Sequence, residues 1–176
     1  MPPLLHKYWD ELLLPVLRQD HPPTIPQAVI VQDQQVLLVQ RDQPRFWELP
    51  GGNLLTGEAP EEAVLREVRE ETGVQVRIVE LLGWYERTGF RAHRAPVYLC
   101  HPEHGQPRPG DDDIVQVQYF PLRTLPRGLG PWYRPILERD LPSLQPRPLQ
   151  RTQRLGLRTV LHCVGLDLAS RLGWLR

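Results

Sequence analysis

The sequence predicts an α/β fold: a mixed sheet held between helices in an α/β/α sandwich, with an additional helix at each end. Three observations lead there. Several short runs are rich in Val, Ile, Leu and Tyr, which suits strands. One helical segment, residues 60–72, lies among them, opened by Pro60 and closed by Gly73. An apolar stripe at helical spacing stands near each terminus, outside the strand-rich region.

The elements follow in order. Residues 4–17 carry Leu5, Tyr8, Trp9, Leu12, Leu13 and Val16 at helical spacing, and Pro15 should end or kink that helix near Leu14. QDHPPTIP reads as a proline-stiffened linker. AVIVQ (28–32) and QVLLVQR (35–41) flank Asp33-Gln34, a hairpin turn. WELPGG (47–52) interrupts the pattern. A helix starts near Ala59 or Pro60, where proline is tolerated, and stops at Gly73, a good C-terminal cap. VQVRIVELLGWYER (74–87) predicts a long strand bent at Gly83, and HRAPVYLCHP (93–102) another. A polar loop, EHGQPRPGDDD (103–113), precedes the strand IVQVQYF (114–120), and a short helix is expected near 131–139. Residues 142–151 are rich in proline and arginine. Residues 157–175 put Leu157, Val160, Leu161, Val164, Leu168, Leu172 and Leu175 on one helical stripe. The resulting division is an N-terminal helix extension (1–20), a main domain (21–140) and a C-terminal helical extension (141–176).

Bulk properties narrow the function classes. The 176 residues carry 21 basic and 21 acidic side chains, a formal net charge of zero. No basic field points to nucleic acid. No run of about 18 apolar residues spans a membrane, and no signal peptide is visible, so a cytoplasmic protein is expected. Cys100 and Cys163 each sit in an apolar run, which suggests buried thiols in a reducing compartment. No Cys/His pattern supports zinc.

The informative stretch is GNLLTGEAPEEAVLREVREETGV, residues 52–74. On a helix at about 100° per residue, Val64, Leu65 and Val68 share one face, which should pack on the sheet. Glu67, Glu70 and Glu71 fall in another arc, spaced i, i+3, i+4, so their carboxylates are neighbours. Three like charges there repel, and carboxylate oxygens are what hard divalent cations prefer. Gly51 and Gly52 let the chain approach closely, and either can offer a carbonyl to the same ion. Glu58 and Arg66 can pair and hold the loop against the helix. A solvated acidic face is the ordinary reading of such a run. The full spacing overrides it: Gly52, five residues, Glu58, seven residues, Arg66-Glu67-Val68, one residue, Glu70-Glu71, one residue, Gly73-Val74. A chance match is on the order of 10⁻⁹ per starting position.

At every fixed position this resembles the signature of the Nudix (MutT-like) hydrolases, GX5EX7REUXEEXGU with U aliphatic, and WELPGG resembles that family's lead-in. The resemblance implies a Nudix α/β/α sandwich over about residues 26–140, hydrolysis of a nucleoside diphosphate linked to another group, and Mg²⁺ or Mn²⁺ as cofactor. It also implies Glu67, Glu70, Glu71 and the Gly51 carbonyl as metal ligands. Gly52, Glu58, Arg66 and Gly73 become the structural frame of the signature. One of the glutamates, or an acid from a later loop, serves as general base, which makes Glu70, Glu67 and Asp113 the catalytic candidates.

In relatives an acid often stands just before the strand matching IVQVQYF. Asp113 fits best, with Asp112 next as a substrate-side candidate; the alternative is a turn filled with aspartates, which turns favour. Gln116 stands where relatives often carry glutamate, so no acid role is expected there. Relatives use an arginine at the position of Arg41 to hold substrate phosphates, and a guanidinium fork suits that task. Glu48 is read as structural. Trp84, Tyr85, Phe90 and Tyr98 can stack on a base, although strand aromatics are more often core. His93, His101 and His104 show no ligand spacing.

The reading is therefore a metal-dependent hydrolase of a phosphoanhydride bond acting on a nucleotide-type small molecule, with no membrane or nucleic-acid partner. No coenzyme A motif surrounds PRFWELPGG. Gly89 stands where ADP-ribose hydrolases often carry proline, and the tyrosine of dinucleoside polyphosphate hydrolases is missing. A nucleoside di- or triphosphate is left as the favoured substrate. The rival is a non-catalytic nucleotide-sensing module on the same fold; such proteins often lose signature glutamates, and here all are present. The two terminal stripes are expected to bury one another, within one chain or across a homodimer interface.

Overall fold

The computed structural model describes residues 22–89 and 92–174. Among them, seven strands form one mixed sheet: β1 (Gln27–Gln32), β2 (Gln35–Arg41), β3 (Trp47–Glu48), β4 (Gln75–Gly89), β5 (His93–His104), β6 (Ile114–Pro121) and β7 (Leu149–Leu155). Two α-helices accompany it, α1 (Pro60–Thr72) and α2 (Leu157–Arg171). The strand order is β3-β2-β1-β5-β4-β7, with β6 paired along β2. β1–β5 and β4–β7 are parallel; the other pairings are antiparallel.

Side-chain alternation builds the layers. Ala28, Ile30 and Leu37 point to one face, where they meet Val64 and Val68 of α1. Val29, Val36 and Leu38 point to the other, where Phe46, Trp132, Ile136, and Cys163 and Leu166 of α2 close the core. A period of two in the strands thus gives two cores, and a helix covers each. Asp33 and Gln34 both adopt positive φ, 49° and 60°, which gives the β1–β2 hairpin the twist of its strands. β4 is irregular, with register shifts on β5 between Ile78 and Glu80 and between Leu81 and Gly83.

The structure corrects four expectations. Leu65 does not join the buried face of α1 and is 38% exposed, because Val64 and Val68 already span the contact with the sheet. The helix expected near 131–139 is a single π-helical turn, Ile136–Asp140. The Pro/Arg-rich stretch leads into β7, LQRTQRL, which pairs with Gly83–Gly89 of β4; as an edge strand it is apolar only at its buried ends. α2 turns a different face inward. Asp167 accepts the Arg45 backbone N–H at 2.7 Å and holds Arg171 at 3.0 Å, so Cys163, Leu166 and Asp167 are buried. Leu161, Leu168 and Leu172 are left 63%, 56% and 61% exposed. The N-terminal stripe, and its pairing with α2, lie outside the described residues.

Cys100 and Cys163 are both buried, and burial pushes the Cys100 thiol up to about 12. No described helix is long and apolar enough to cross a membrane.

Candidate active site

The site is built on α1. Pro60 and two acids, Glu61 and Glu62, open the helix, and the Glu62 carboxylate accepts the Ala59 N–H at 3.0 Å. Negative charge suits that end. Gly73, at φ 69°, closes it with a left-handed cap whose N–H reaches Arg69 O. The polar loop before β6 docks on the far end: Arg108 N–H donates to Thr72 O at 2.9 Å and Gly110 N–H to Glu71 O at 3.2 Å. This brings the aspartates of residues 111–113 to the acidic face of the helix.

Two arginines organise the carboxylates. Arg66 donates to Glu58 through Nε at 2.8 Å and Nη2 at 2.9 Å, and through Nη1 to Glu67 at 2.8 Å and Glu70 at 3.0 Å. Its Nη2 also meets Asn53 O at 3.0 Å, which ties the loop to the helix. Those Arg66 hydrogen bonds hold Glu58 down at about 2. Arg41, at the end of β2, donates through Nε to Glu48 at 2.9 Å and through Nη2 to Gly51 O at 3.3 Å. It also pairs with Glu71 and Asp113. Burial alone would lower the Arg41 pKa; Glu48, Glu71 and Asp113 override it and raise it.

Glu71 differs from its neighbours. Its side chain is 1% exposed, against 15% for Glu67 and 41% for Glu70. Its Oε2 accepts the Gly51 N–H at 2.9 Å. Burial pushes its pKa up to about 8, against the pull of Arg41 and Gly51. The Asp111 carboxyl is also raised, by burial first and then by the charges of Asp113 and Glu70, so the loop acids and the helix acids share one field.

The glycines explain the close fit. A Cβ on Gly52 would stand 2.4 Å from the Glu67 carboxyl carbon. A Cβ on Gly51, at φ 151°, would stand 2.2 Å from Pro26 O. Gly52 thus lets the loop lie directly on Glu67, and Gly51 lets it lie against the backbone entering β1.

Hard-oxygen donors, carboxylates and one backbone carbonyl, are the set a Mg²⁺ or Mn²⁺ ion takes. The Arg41 guanidinium already bridges Gly51 O and Glu71, as a cation would. The donor chemistry therefore fits a divalent metal. In this arrangement, however, no three His, Cys, Asp or Glu side chains among the described residues close around a point that could hold an ion.

A cavity of about 240 Å³ opens beside these groups, lined by Arg41, Glu48, Gly51, Gly52 and Asp113. Gln27, Arg87, His93, Trp132 and Tyr133 also line it. Arg87 is 2% exposed. It donates to Gln153 at 2.9 Å and Gln27 at 3.0 Å, and lies over the Tyr133 ring at 5.2 Å. The sequence reading missed this wall, because its residues come from separate elements and carry no common spacing.

Of the expected site residues, Gly51, Gly52, Glu58, Arg66, Glu67, Glu70, Glu71, Arg41 and Asp113 meet in this region. Asp112 forms no ion pair among the described residues. Glu48 pairs with Arg41 and accepts from the Tyr133 hydroxyl at 3.3 Å, partners that lie outside its own loop. The aromatic candidates are otherwise engaged: Tyr85 donates to Asp140 at 3.1 Å, Tyr98 to Glu61 at 2.7 Å, and Trp84 carries Arg94 at 4.0 Å. Phe90 lies outside the described residues.

The NUDIX domain profile matches residues 22–140. A MutT-like protein of Streptomyces ambofaciens is 39% identical over 95 residues, 54% of this chain and 61% of that protein. An ADP-ribose pyrophosphatase of Methanocaldococcus jannaschii is 33% identical over 112 residues, 61% of this chain and 66% of that protein. The chain thus spans less than two thirds of the length of either. The crystal structure of a MutT NUDIX hydrolase from Burkholderia pseudomallei superposes with a TM-score of 0.62 at 33% identity, covering 68% of this chain and 98% of that one. With the NUDIX profile matching well over half of its length, the chain belongs to the Nudix family.

Proposed function

We propose that the chain is a divalent-metal-dependent pyrophosphohydrolase that cleaves a phosphoanhydride bond in a nucleoside di- or triphosphate or a nucleoside diphosphate-linked substrate. The observation that carries this is the acidic face of α1, where Arg66 holds Glu67 and Glu70 and Arg41 holds Glu71, beside a polar cavity lined by Arg41, Gly51 and Asp113. Glu67, Glu70, Glu71 and the Gly51 carbonyl would hold the metal. When bound, it supplies a Lewis acid that polarises the pyrophosphate and makes water a better nucleophile.

The chain's own residues do the rest. Glu71, buried and fixed by Gly51, anchors the site rather than shuttling protons to solvent. Glu70 and Asp113, 41% and 58% exposed, are open to water and serve as the candidate bases, with Glu67 beside Gly52 as the third catalytic carboxylate. Arg41, with its guanidinium at the cavity, takes the substrate phosphates, and Asp112, the chain neighbour of the cavity-lining Asp113, is the second substrate-side candidate. Gly52, Glu58, Arg66 and Gly73 keep loop and helix in register.

The matched relatives are named for different substrates, ADP-ribose and 8-oxo-dGTP among them, so family membership does not choose a substrate. Without the marks of the ADP-ribose and dinucleoside polyphosphate groups, a nucleoside di- or triphosphate is the substrate proposed. A screen of nucleoside di- and triphosphates and ADP-ribose with Mg²⁺ and Mn²⁺, reading phosphate and pyrophosphate release, tests it. Release from at least one nucleotide, abolished by chelation, is expected. Binding without release across the screen would favour a nucleotide-sensing module instead.

A further inference from the structure

Arg41 stands where a substrate-binding arginine is expected, yet in this structure it binds the acids. Its partners are Glu48, Gly51 O, Glu71 and Asp113. Two of these, Gly51 O and the Glu71 carboxylate, belong to the set assigned to the metal. The same lone pairs cannot serve both cations at full strength, and two positive charges at that separation repel.

The two sides of the pairing differ in freedom. The Arg41 side chain is 23% exposed and borders the cavity, whereas Glu71 is 1% exposed and pinned by Gly51 N–H. Arg41 can therefore swing into the cavity while the carboxylate stays. Arg66 is placed differently. Besides Glu67 and Glu70 it holds Glu58 and Asn53 O, so it keeps two anchors outside the metal set.

We propose that Arg41 is a built-in occupant of the metal site. It holds Gly51, Glu71 and Asp113 together in the metal-free protein, a divalent cation displaces it, and the released guanidinium takes the phosphates of the substrate. Metal and phosphate then favour one another's binding, because each draws on the form in which Arg41 has left the acids, and the coupling is reciprocal. Only the last step rests on the hydrolase reading; the exchange itself does not.

Isothermal titration of the full chain with Mg²⁺, at one pH and ionic strength, tests the exchange. If the arginine-bridged form makes up about 90% of the metal-free protein, removing the competitor tightens Mg²⁺ binding about tenfold. Arg41→Met should therefore bind Mg²⁺ more tightly than wild type. Millimolar inorganic phosphate should tighten Mg²⁺ binding in wild type and lose that effect in the variant. A folded Arg41→Met protein, by circular dichroism, with equal or weaker Mg²⁺ affinity overturns the proposal. Should that variant fail to fold, the wild-type protein decides. Its Arg41 Nε–H resonance, assigned by its loss in Arg41→Lys, should shift with Mg²⁺ and not with NaCl of equal ionic strength. A resonance unmoved at saturating Mg²⁺ overturns the exchange. Arginine exchange without hydrolysis of any nucleotide would leave this proposal standing and remove the hydrolase reading.

Discussion

Arg66 and Arg41 perform one electrostatic task in two different ways. Each holds several carboxylates of the acidic cluster. Arg66 works on the outer side, with partners close in the chain: Glu58 lies eight residues away, Glu70 four and Glu67 one. Arg41 works on the inner side; Glu48 on the neighbouring strand β3 is one partner, and the others, Gly51, Glu71 and Asp113, lie 10, 30 and 72 residues away. The outer half is set by helix geometry and one loop. The inner half exists only after β2, α1 and the loop before β6 have packed. The outer half is thus a local frame, and the inner half reports on the whole fold.

The largest contrast is expected at the double glycine that joins the halves. Gly51→Ala meets backbone, Pro26 O at 2.2 Å and Gln27 Cα at 2.9 Å, at a φ of 151°. Overpacking and backbone strain together should cost about 3–5 kcal/mol in chemical denaturation. Gly52→Ala meets only the end of the Glu67 side chain, at 2.4 Å. Its fold should survive while the displaced carboxylate lowers kcat by about 10²-fold. Equal loss of stability in the two variants would break the distinction.

Acid–base behaviour should separate the halves with opposite signs. Glu58 sits at about 2, below its ordinary 4.5, so its contribution to stability is present above pH 4.5 and is lost as pH falls toward 2. Glu71 sits at about 8, above its ordinary 4.5. Its contribution is present below pH 4.5 and is lost as pH rises through 8. Melting curves of metal-free protein across pH should show Glu58→Gln flattening the acid limb and Glu71→Gln flattening the decline between pH 5 and 8. Identical pH profiles for the two variants would contradict the assignment.

How much of this was legible in the sequence follows the same division. The Gly52 to Val74 spacing carried the outer frame, because every contact there lies within a loop and a helix of fixed geometry. The strands β1, β2, β5 and β6 were legible because each alternates or clusters apolar residues. β7 was not, since Leu149 and Leu155 are its only buried residues. The inward face of α2 was not either: a buried Asp167, satisfied by Arg45 N–H and Arg171, outweighs the leucine stripe, and no pattern of apolar residues announces that. Arg41 was placed at the site by its position at the end of β2, but its pairing with Glu71 and Asp113 was not legible, because that pairing is a product of tertiary packing.

The smallest effects should come from acids of α1 outside the cluster. Glu62 caps the Ala59 N–H and Glu61 accepts from Tyr98; neither contacts Arg41 or Arg66. Glu61→Gln and Glu62→Gln should leave kcat and KM near wild type in steady-state assays. A large loss in either would mean that negative charge along the helix, rather than the two arginine-held groups, is what the site requires.

The central claim is that the arginine-held carboxylates are one metal-dependent hydrolytic centre. The most direct measurement is the turnover of Glu70→Gln and Glu71→Gln at saturating Mg²⁺, on the best substrate from the nucleotide screen, alongside the circular dichroism of each variant. The account predicts a folded protein in both cases and a fall in kcat of at least about 10²-fold, because each change removes a carboxylate from the metal or the base. Near-normal turnover in either folded variant would contradict it.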